Sequence, residues 1–257
     1  MAKANTGRDL VTLKTTVVTF VLDETGSMEM IRDDTIGGFN TYLDSLRDES
    51  KGKVEFSLIK FDSMKIDKVH VGEHISKVPN LTRETYIPGA ATPLVDACVK
   101  SIRATEAALK QRDDEPNVLF VIQTDGQENA STEYNFTDLT TLIKQKEAEG
   151  WSFLFMGAGI DAYDVAVRQM GMAAAATMSY DLGSSKAAFA AVASNTDGYR
   201  ESGMRSDTLF SNDQKTEAGD RFMTHGKKSS GHVQQATTTS GTDHQKTSAV
   251  DDLDLTS

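Results

Sequence analysis

Three side chains that carry oxygen atoms alternate in a short segment near the start of the chain, directly after an apolar run. They are Asp23, Thr25 and Ser27 in the sequence Asp-Glu-Thr-Gly-Ser-Met, and the run before them is residues 15–22. Side chains two positions apart project to the same side of an extended segment, so the three can converge. Gly26 allows the backbone to bend there. A site whose ligands are all oxygen atoms suits a hard divalent cation, foremost Mg²⁺, with Mn²⁺ or Ca²⁺ as alternatives.

Two further oxygen donors stand where an α/β sheet would bring them to the same edge. Thr92 comes just before a predicted helix that starts at Pro93, and Asp125 follows the apolar run of residues 117–124. In open α/β sheets, ligands bind beyond the carboxyl ends of the strands, where the strand order reverses. Taken singly, each of these residues is better explained as a helix cap or a turn residue. Taken together, they predict one metal site made by Asp23, Thr25, Ser27, Thr92 and Asp125.

The elements that must position these residues are strands that alternate with helices. Apolar runs predict strands at residues 15–22, 117–124 and 151–156, and a weaker one at 174–180. A pattern that alternates at its start predicts another at residues 54–61, and residues 66–71 follow it after a short turn as a further strand. Helical patterns predict helices at residues 28–48, 93–112, 137–150, 161–170 and 184–199, with Thr137 and Asp138 capping the third. This order predicts a doubly wound, Rossmann-like α/β fold with helices on both faces of a mostly parallel sheet. The third strand follows the second closely enough to pair with it antiparallel at the edge.

The composition disfavours nucleic acids and membranes as partners. The 257 residues carry a net charge of −11 and give a pI near 4.9, whereas phosphates and anionic lipids attract clustered Lys and Arg. No apolar run approaches the ~20 residues of a membrane helix, and the N-terminus lacks the apolar core of a signal peptide. We therefore expect a soluble cytoplasmic protein. Its one cysteine, Cys98, is expected to be a buried structural thiol.

A change in composition near residue 204 divides the chain. Residues 1–12 are mostly polar and are expected to form a flexible N-terminus, and residues 13–203 contain the predicted α/β domain. Residues 204–257 are rich in Ser, Thr, Gly, Asp, Lys and Gln, which predicts a disordered C-terminal tail. The alternative for part of this tail is a short docking element built from Leu209, Phe210, Phe222 and Met223.

The three metal-site segments together resemble the metal-ion-dependent adhesion site (MIDAS) of the von Willebrand factor type A (VWA) domain family. The family motif is Asp-x-Ser-x-Ser, followed by a distant Thr and a distant Asp. In this chain Thr25 replaces the middle Ser and keeps the hydroxyl group. The resemblance covers roughly residues 13–200. It implies that Thr25, Ser27 and Thr92 bind Mg²⁺ directly, and that Asp23 and Asp125 bind it directly or through water.

The segments at residues 33–40 and 86–97 resemble those of stand-alone VWA proteins from bacteria and their phages. Such proteins usually serve protein–protein contact, so the resemblance implies a metal-dependent protein-binding module without enzyme activity. An Asp or Glu from the partner would complete the coordination of the metal. Two alternatives stay open: a structural or assembly component, for example of a phage particle, and an adaptor for an AAA+ ATPase. A phage-encoded protein would reside in the host cytoplasm or in the virion.

A dinucleotide-binding turn is a competing hypothesis. Residues 157–162 (Gly-Ala-Gly-Ile-Asp-Ala) follow an apolar strand, and Asp181 lies about twenty residues further on. This turn follows a late strand and not the first βαβ unit, which disfavours the hypothesis. Catalysis is disfavoured as well, because the chain has no Gly-x-Ser-x-Gly motif. Its domain histidines, His70 and His74, lie on or beside the predicted edge hairpin, away from the metal loops.

Other polar residues near the site, or in the tail, have expected roles that do not include binding the metal. Glu24 and Glu128 are expected to face solvent, with the orientation of the metal ligands as the open alternative. Asp96 is expected to stabilise the start of its helix. The tail histidines are irregularly spaced and have no Cys nearby, so they are poor candidates for metal ligands: His225, His232 and His244.

Overall fold

The sheet has six strands in the order β3-β2-β1-β4-β5-β6, in a computed structural model that describes residues 13–226. The strands are β1 (Thr16–Asp23), β2 (Val54–Phe61), β3 (Ile66–His74), β4 (Asn117–Thr124), β5 (Ser152–Ala158) and β6 (Thr177–Tyr180). Every neighbouring pair is parallel except β2 and β3, which are antiparallel. This topology confirms the predicted doubly wound α/β fold with one antiparallel edge strand.

Helices cover both faces of this sheet. They are α1 (Arg32–Leu46), α2 (Leu94–Leu109), α3 (Phe136–Ala148), α4 (Ser185–Ser202) and α5 (Asn212–Glu217). A 3-10 turn (Gly26–Ile31) precedes α1, and a π-helical segment (Tyr163–Gln169) follows β5. Helices α1 and α4 share one hydrophobic core with the sheet, while α2, α3 and the π-helical segment share the other. Among the helices that the structure describes, none is long and apolar enough to span a membrane.

Strands β1 and β4 lie at the centre of the sheet, where the strand order reverses. Every residue of β1 is buried, because successive side chains enter opposite cores. Phe20 meets the ring of Phe39 edge-on at 5.2 Å between centroids, while Val21 belongs to the opposite core. The register pairs Leu22 with Gln123, so the ends of the two strands lie side by side. This pairing brings the loops after β1 and β4 to the same point of the sheet edge.

The cap of α3 differs from the prediction. The side chain of Asn135 accepts hydrogen bonds from the N–H groups of Thr137 and Asp138, at 2.8 and 3.1 Å. The Asp138 carboxylate in turn accepts the N–H of Asn135 at 3.0 Å, which completes a capping box. Asn135 is therefore the N-cap, and Thr137 and Asp138 belong to the first turn of the helix. Cys98 of α2 is buried and free, as expected.

Residues 204–226 are folded, which corrects the expectation of a disordered tail from residue 204 onward. A 3-10 turn (Arg205–Thr208) and helix α5 follow α4. The Phe210 N–H donates to the carbonyl of Ala175 at 2.8 Å, and the Phe210 side chain is buried. Residues 1–12 and 227–257, where the flexible N-terminus and the rest of the tail were predicted, lie outside the described residues.

This folded segment covers the outer edge of β6. The Ser179 N–H donates to the Asp220 carboxylate at 3.1 Å, and the Asp181 N–H donates to the carbonyl of Ala218 at 3.0 Å. The Tyr163 hydroxyl also donates to Asp220, at 2.6 Å. An uncovered edge strand would expose unpaired backbone groups. The segment is thus held by buried polar contacts together with the buried side chain of Phe210, one of the four residues named for a possible docking element.

Candidate metal centre

The loop after β1 folds back on itself, so that its three polar side chains come together. The Thr25 N–H donates to Oδ1 of Asp23 at 2.8 Å, which closes a tight turn. The hydroxyl oxygens of Thr25 and Ser27 lie 3.4 Å apart. Asp23 and Thr25 are buried, whereas Ser27 is exposed. The alternation of the sequence thus becomes a small cluster of oxygens that opens to solvent on the side of Ser27.

Two other loops bring the remaining predicted residues to this cluster. The Thr92 hydroxyl donates to the Thr25 hydroxyl at 3.3 Å, and the Ser27 hydroxyl donates to Oδ1 of Asp125 at 2.7 Å. Thr124, the last residue of β4, donates its hydroxyl to Oδ2 of Asp23. Residues from three loops, far apart in the sequence, therefore converge on one site. The structure brings together all five predicted residues: Asp23, Thr25, Ser27, Thr92 and Asp125.

Gly126 allows the loop after β4 to approach the other two. A Cβ atom at this position would lie 3.2 Å from Oγ1 of Thr92 and 3.8 Å from Oγ of Ser27. The first of these distances is tighter than most real Cβ contacts, so a larger residue would push the hydroxyls apart. The glycine after Asp125 thus serves the packing of the site itself.

Backbone hydrogen bonds fix the Thr92 loop against the loop after β1. The Gly26 N–H donates to the Ala90 carbonyl at 3.1 Å, and the Gly89 N–H donates to the Glu24 carbonyl at 2.9 Å. Ala90 has a φ of +59°, a left-handed conformation that costs an alanine on the order of 1 kcal/mol. The strained residue is the one whose carbonyl meets Gly26. The strained backbone therefore lies at the point of contact between the two loops.

Asn129 also positions Thr92, a role that the sequence did not indicate. Its side-chain oxygen accepts the Thr92 N–H at 2.8 Å, and its own N–H donates to the Thr92 carbonyl at 3.1 Å. The backbone of Thr92 is therefore held on both sides, which leaves the hydroxyl free to face Thr25. The two residues are 37 positions apart, so no local pattern could have connected them.

Glu24 is buried, which corrects the expectation that it faces solvent. Only 1% of the residue is exposed, and its Oε1 lies 2.6 Å from Nζ of Lys60, which is itself 5% exposed. The same oxygen accepts the Ile87 N–H at 2.7 Å. Lys60 also donates to the carbonyl of Thr85 at 2.6 Å. The ion pair therefore fastens β1 and β2 to the chain that leads towards Thr92.

Glu128 and Asp96 have roles that also differ from those expected. Glu128 is half-buried and accepts the Val95 N–H of the first turn of α2 at 2.8 Å, so Glu128 stabilises the helix start. Asp96 is buried and instead accepts the N–H groups of Thr132 and Tyr134, both at 2.9 Å. Asp96 thereby fixes the loop after β4. Both carboxylates build the frame of the site and are fully engaged there.

The electrostatics of the site favour a bound cation. Burial raises the pKa of Asp23 to about 6, although hydrogen bonds from Thr124 and Thr25 oppose this, and the nearby charge of Asp125 adds to the rise. Burial also raises the pKa of Asp125, against the lowering effect of the Ser27 hydrogen bond. A charge that costs free energy to bury gains most from a counter-ion. Both carboxylates therefore have a reason to bind a cation at neutral pH.

The donor set fits a hard metal ion. It consists of three hydroxyl and two carboxyl groups, which are the oxygen donors that Mg²⁺ and Ca²⁺ prefer. In residues 13–226, no group of three or more His, Cys, Asp or Glu side chains is placed to hold a metal. The fit therefore depends on the hydroxyl groups of Thr25, Ser27 and Thr92, which supply most of the donors.

The raised pKa of Asp23 predicts a specific dependence of stability on pH. A carboxyl group whose pKa is higher in the folded than in the unfolded chain stabilises the fold while it is protonated. For Asp23 this contribution is about 3 kcal/mol; it is complete below about pH 4 and is lost as the pH rises through about 6. In EDTA, the wild type should therefore lose stability relative to Asp23→Asn between pH 4 and 7. The stabilisation of the wild type by added Mg²⁺ should increase as the pH rises over the same range, because protons compete with the ion for Asp23. Urea denaturation at each pH measures both effects, and parallel curves for the two proteins would contradict them.

The glycines that suggested a dinucleotide-binding turn are explained by packing. A Cβ at Gly157 would lie 2.8 Å from the Cβ of Ala162, and one at Gly159, where φ is +67°, would lie 2.9 Å from Leu182. Asp161, two residues after Gly159, forms a hydrogen bond with His225, with 2.6 Å between Oδ2 and Nδ1. The chain's own side chains therefore occupy the surroundings of this turn, and its glycines need no cofactor to account for them.

Comparison with known proteins identifies the fold through solved structures. No family model matches the sequence, and no curated protein does. The PilB minor pilin from Streptococcus sanguinis matches with a TM-score of 0.53 and 12% identity, over 72% of this chain and 62% of the pilin. The vWF domain of the type V pili tip protein Mfa5 from Porphyromonas gingivalis matches with a TM-score of 0.52 and 9% identity, over 73% of this chain and 96% of that domain.

Several similar structures are considerably longer than the matched region. The chain spans 48% of proximal thread matrix protein 1 from the mussel byssus and 43% of a von Willebrand factor type A protein from Catenulispora acidiphila. The Mfa5 domain, by contrast, is covered almost completely. At these low identities the likeness concerns the fold alone. Together with the sheet order, the likeness to the Mfa5 vWF domain shows that this chain has the von Willebrand factor type A fold.

Proposed function

We propose that this chain is a protein-binding module whose contact with its partner depends on a divalent metal ion, most simply Mg²⁺. The observation that carries the proposal is the convergence of five oxygen-bearing side chains from three loops at the carboxyl ends of β1 and β4. Thr25, Ser27 and Thr92 would hold the ion directly, and Asp23 and Asp125 would do so directly or through water. A bound ion would supply a Lewis-acidic centre that attracts an anionic oxygen.

The donor set indicates what kind of group the partner would supply. Only Asp23 and Asp125 carry charge, and three of the five donors are neutral hydroxyls. A dication held mainly by neutral donors stays attractive to a further anion, which an Asp or Glu of a partner can provide. Ser27 is exposed while Asp23 and Thr25 are buried, so a partner can approach from the side of Ser27.

The surface around the site supports a contact with protein. Three large apolar side chains are strongly exposed on loops next to the metal loops: Met30 and Met64 at 83%, and Ile87 at 62%. Met30 follows Ser27 in the same turn, and the Ile87 N–H bonds to Glu24. Exposed apolar side chains beside the metal loops offer a partner apolar surface that a contact would remove from water. The similar structures with a pilin and a pili tip protein agree with such a role.

An enzymatic function is not favoured by the described residues. A metal-dependent hydrolase needs a base close to the ion. His70 bonds to Glu73 at 3.0 Å, His74 bonds to Ser76 at 2.9 Å, and both lie on β3. His225 is engaged with Asp161. Every histidine within residues 13–226 thus has a partner outside the five-residue site.

Metal-dependent capture of a partner tests the proposal. Tagged wild type, Asp125→Asn and Asp33→Asn would be incubated with a bacterial lysate in Mg²⁺ or in EDTA, and bound proteins quantified by mass spectrometry. Asp33→Asn is a matched control, because Asp33 is an exposed acid that pairs with Arg83. We expect a partner enriched at least about tenfold in Mg²⁺ over EDTA, lost with Asp125→Asn and kept with Asp33→Asn. Equal capture under all conditions would contradict a metal-dependent contact.

A further inference from the structure

A groove of about 670 Å³ lies beside the proposed metal site. Its walls are the turn between β2 and β3, the outer face of α2 and the loop after β4. Pro93, the neighbour of Thr92, lines it, and the Ser63 hydroxyl in its wall accepts the Ala91 N–H at 3.1 Å. The groove is therefore continuous with the loop that carries Thr92. A partner bound at the metal would extend naturally into it.

The acidic residues of this groove contribute little negative charge to its surface. Asp62 is 8% exposed, and its Oδ1 accepts the N–H groups of Met64 and Lys65 at 2.7 and 2.9 Å. Asp96 is 4% exposed and is engaged with backbone N–H groups of the loop after β4. The third acid is Glu133, which is exposed and bonds to Lys100 at 2.5 Å. Only one carboxylate therefore faces the solvent in the groove.

Four cationic side chains line the same groove: Lys65, Lys68, Lys100 and Arg103. Lys68 and Arg103 are exposed, and Arg103 donates to the hydroxyl of Tyr134 at 2.8 Å, which leaves its charge uncompensated. Within residues 13–226, Lys68 makes no ion pair. Lys65 pairs with Asp67 at 3.3 Å, and Lys100 pairs with Glu133. Lys68 and Arg103 therefore supply the unpaired positive charge of the groove, although the whole chain carries a net charge of −11. Such a reversal of sign beside the proposed metal site requires an explanation.

We infer that this groove receives an acidic, extended segment of the partner protein. In the partner's sequence this segment adjoins the Asp or Glu that binds the metal. The inference rests on the proposed function and adds the chemistry of the partner to it. Additional carboxylates of the segment would lie over Lys68 and Arg103, where charge complementarity steers binding and fixes the register. A nucleic acid fits less well, because the acidic remainder of the surface would repel a long polyanion.

Binding of synthetic peptides to the whole chain tests this inference. The probes are fluorescein-labelled peptides of equal length: one with five Glu residues, one with a single Glu and Gln elsewhere, and one with Gln only. A labelled single-stranded oligonucleotide is the fourth probe. In excess Mg²⁺, fluorescence anisotropy should show the five-Glu peptide binding about tenfold more tightly than the single-Glu peptide. Tighter binding of the oligonucleotide than of any peptide, or equal binding of all peptides, would overturn the inference.

Variants locate the effect in the groove. Lys68→Glu/Arg103→Glu should abolish the preference for five Glu residues, and Lys68→Gln/Arg103→Gln should reduce it with less disturbance of the fold. Lys144→Glu/Lys186→Glu reverses two exposed lysines that do not line the groove and should keep the preference. If this control lost the preference for five Glu residues to the same extent, net charge alone would explain the effect, and the inference would be overturned.

The same titrations separate this inference from the proposed function. Failure of the proposed function would show as peptide binding that does not change between Mg²⁺ and EDTA. Failure of the inference would show as Mg²⁺-dependent binding without any preference for additional Glu residues. Calorimetric titration with Mg²⁺ alone should give the same affinity for the wild type and both groove variants, because neither change touches the five-residue site.

Discussion

Replacing Thr92 with valine is expected to weaken the binding of Mg²⁺ at least about 10- to 100-fold, while the fold stays intact. Valine has nearly the shape of threonine and lacks only the hydroxyl group, which in this chain bonds to Thr25 at 3.3 Å. The backbone of Thr92 is held by Asn129 and does not depend on that hydroxyl. The change therefore removes one proposed ligand and little else. Isothermal titration calorimetry with Mg²⁺ measures the result.

The matched control is Thr92→Ser, which restores the hydroxyl and removes only the methyl group. Serine should bind Mg²⁺ within a few-fold of the wild type, because the oxygen donor is kept. Circular dichroism and the unfolding midpoint of all three proteins in EDTA should show that the differences do not come from unfolding. If Thr92→Val bound the ion as tightly as Thr92→Ser, the hydroxyl of Thr92 would not be a ligand of the ion.

The local part of the site could be predicted because its three donors are close in the sequence, although Ser27 lies in the 3-10 turn Gly26–Ile31 and not in an extended segment. Asp23, Thr25 and Ser27 lie within five positions, and the turn that joins them is closed by their own N–H and carboxyl groups. The placement of Thr92 and Asp125 followed from a general rule about strand ends, and the pairing of β1 with β4 satisfies that rule. The family resemblance added the roles of the individual donors, which neither argument contains.

The supporting contacts could not be predicted, because they depend on register and on distant residues. Asn129 holds Thr92 across 37 positions, and nothing near either residue indicates the pair. Asp96 was expected to stabilise the start of α2 because it lies one turn into that helix, and Glu128 was expected to face solvent. The loop after β4 instead brings Glu128 to the helix start and presents its own N–H groups to Asp96. Sequence patterns therefore identified the candidate donors but not what orients them.

The fold shows the same division between local and distant information. Strands β2 and β4 have the bounds that were predicted, since each is an apolar run between polar breaks. Residues 204–226 have no such run, and besides the buried Phe210 their fold depends on polar groups that find buried partners. Lys215 is one example: its ammonium donates to the Ala174 carbonyl at 2.7 Å and lies 5.2 Å from the ring centre of Tyr163. Composition cannot reveal such partners.

The second large effect is expected from Glu24→Gln, which should destabilise the chain by about 3–5 kcal/mol. The change leaves Lys60 buried without its counter-charge, and an unpaired buried charge costs far more than a lost surface pair. Glu29→Gln is the control, because Glu29 is an exposed acid in the turn that follows, where a change of about 0.5 kcal/mol or less is expected. Urea denaturation followed by the fluorescence of Trp151, the single tryptophan, measures both.

The double variant Glu24→Met/Lys60→Met separates the charge from the packing. Methionine has a similar length to both residues and needs no counter-ion, so the double variant should be more stable than Glu24→Gln alone. It should not reach the wild type, because the Ile87 N–H and the Thr85 carbonyl lose their partners. A double variant no more stable than the single one would mean that losing those two backbone bonds costs as much free energy as leaving Lys60 without its counter-charge. Either way, the ion pair and its backbone bonds would be what holds the chain leading to Thr92 against β1.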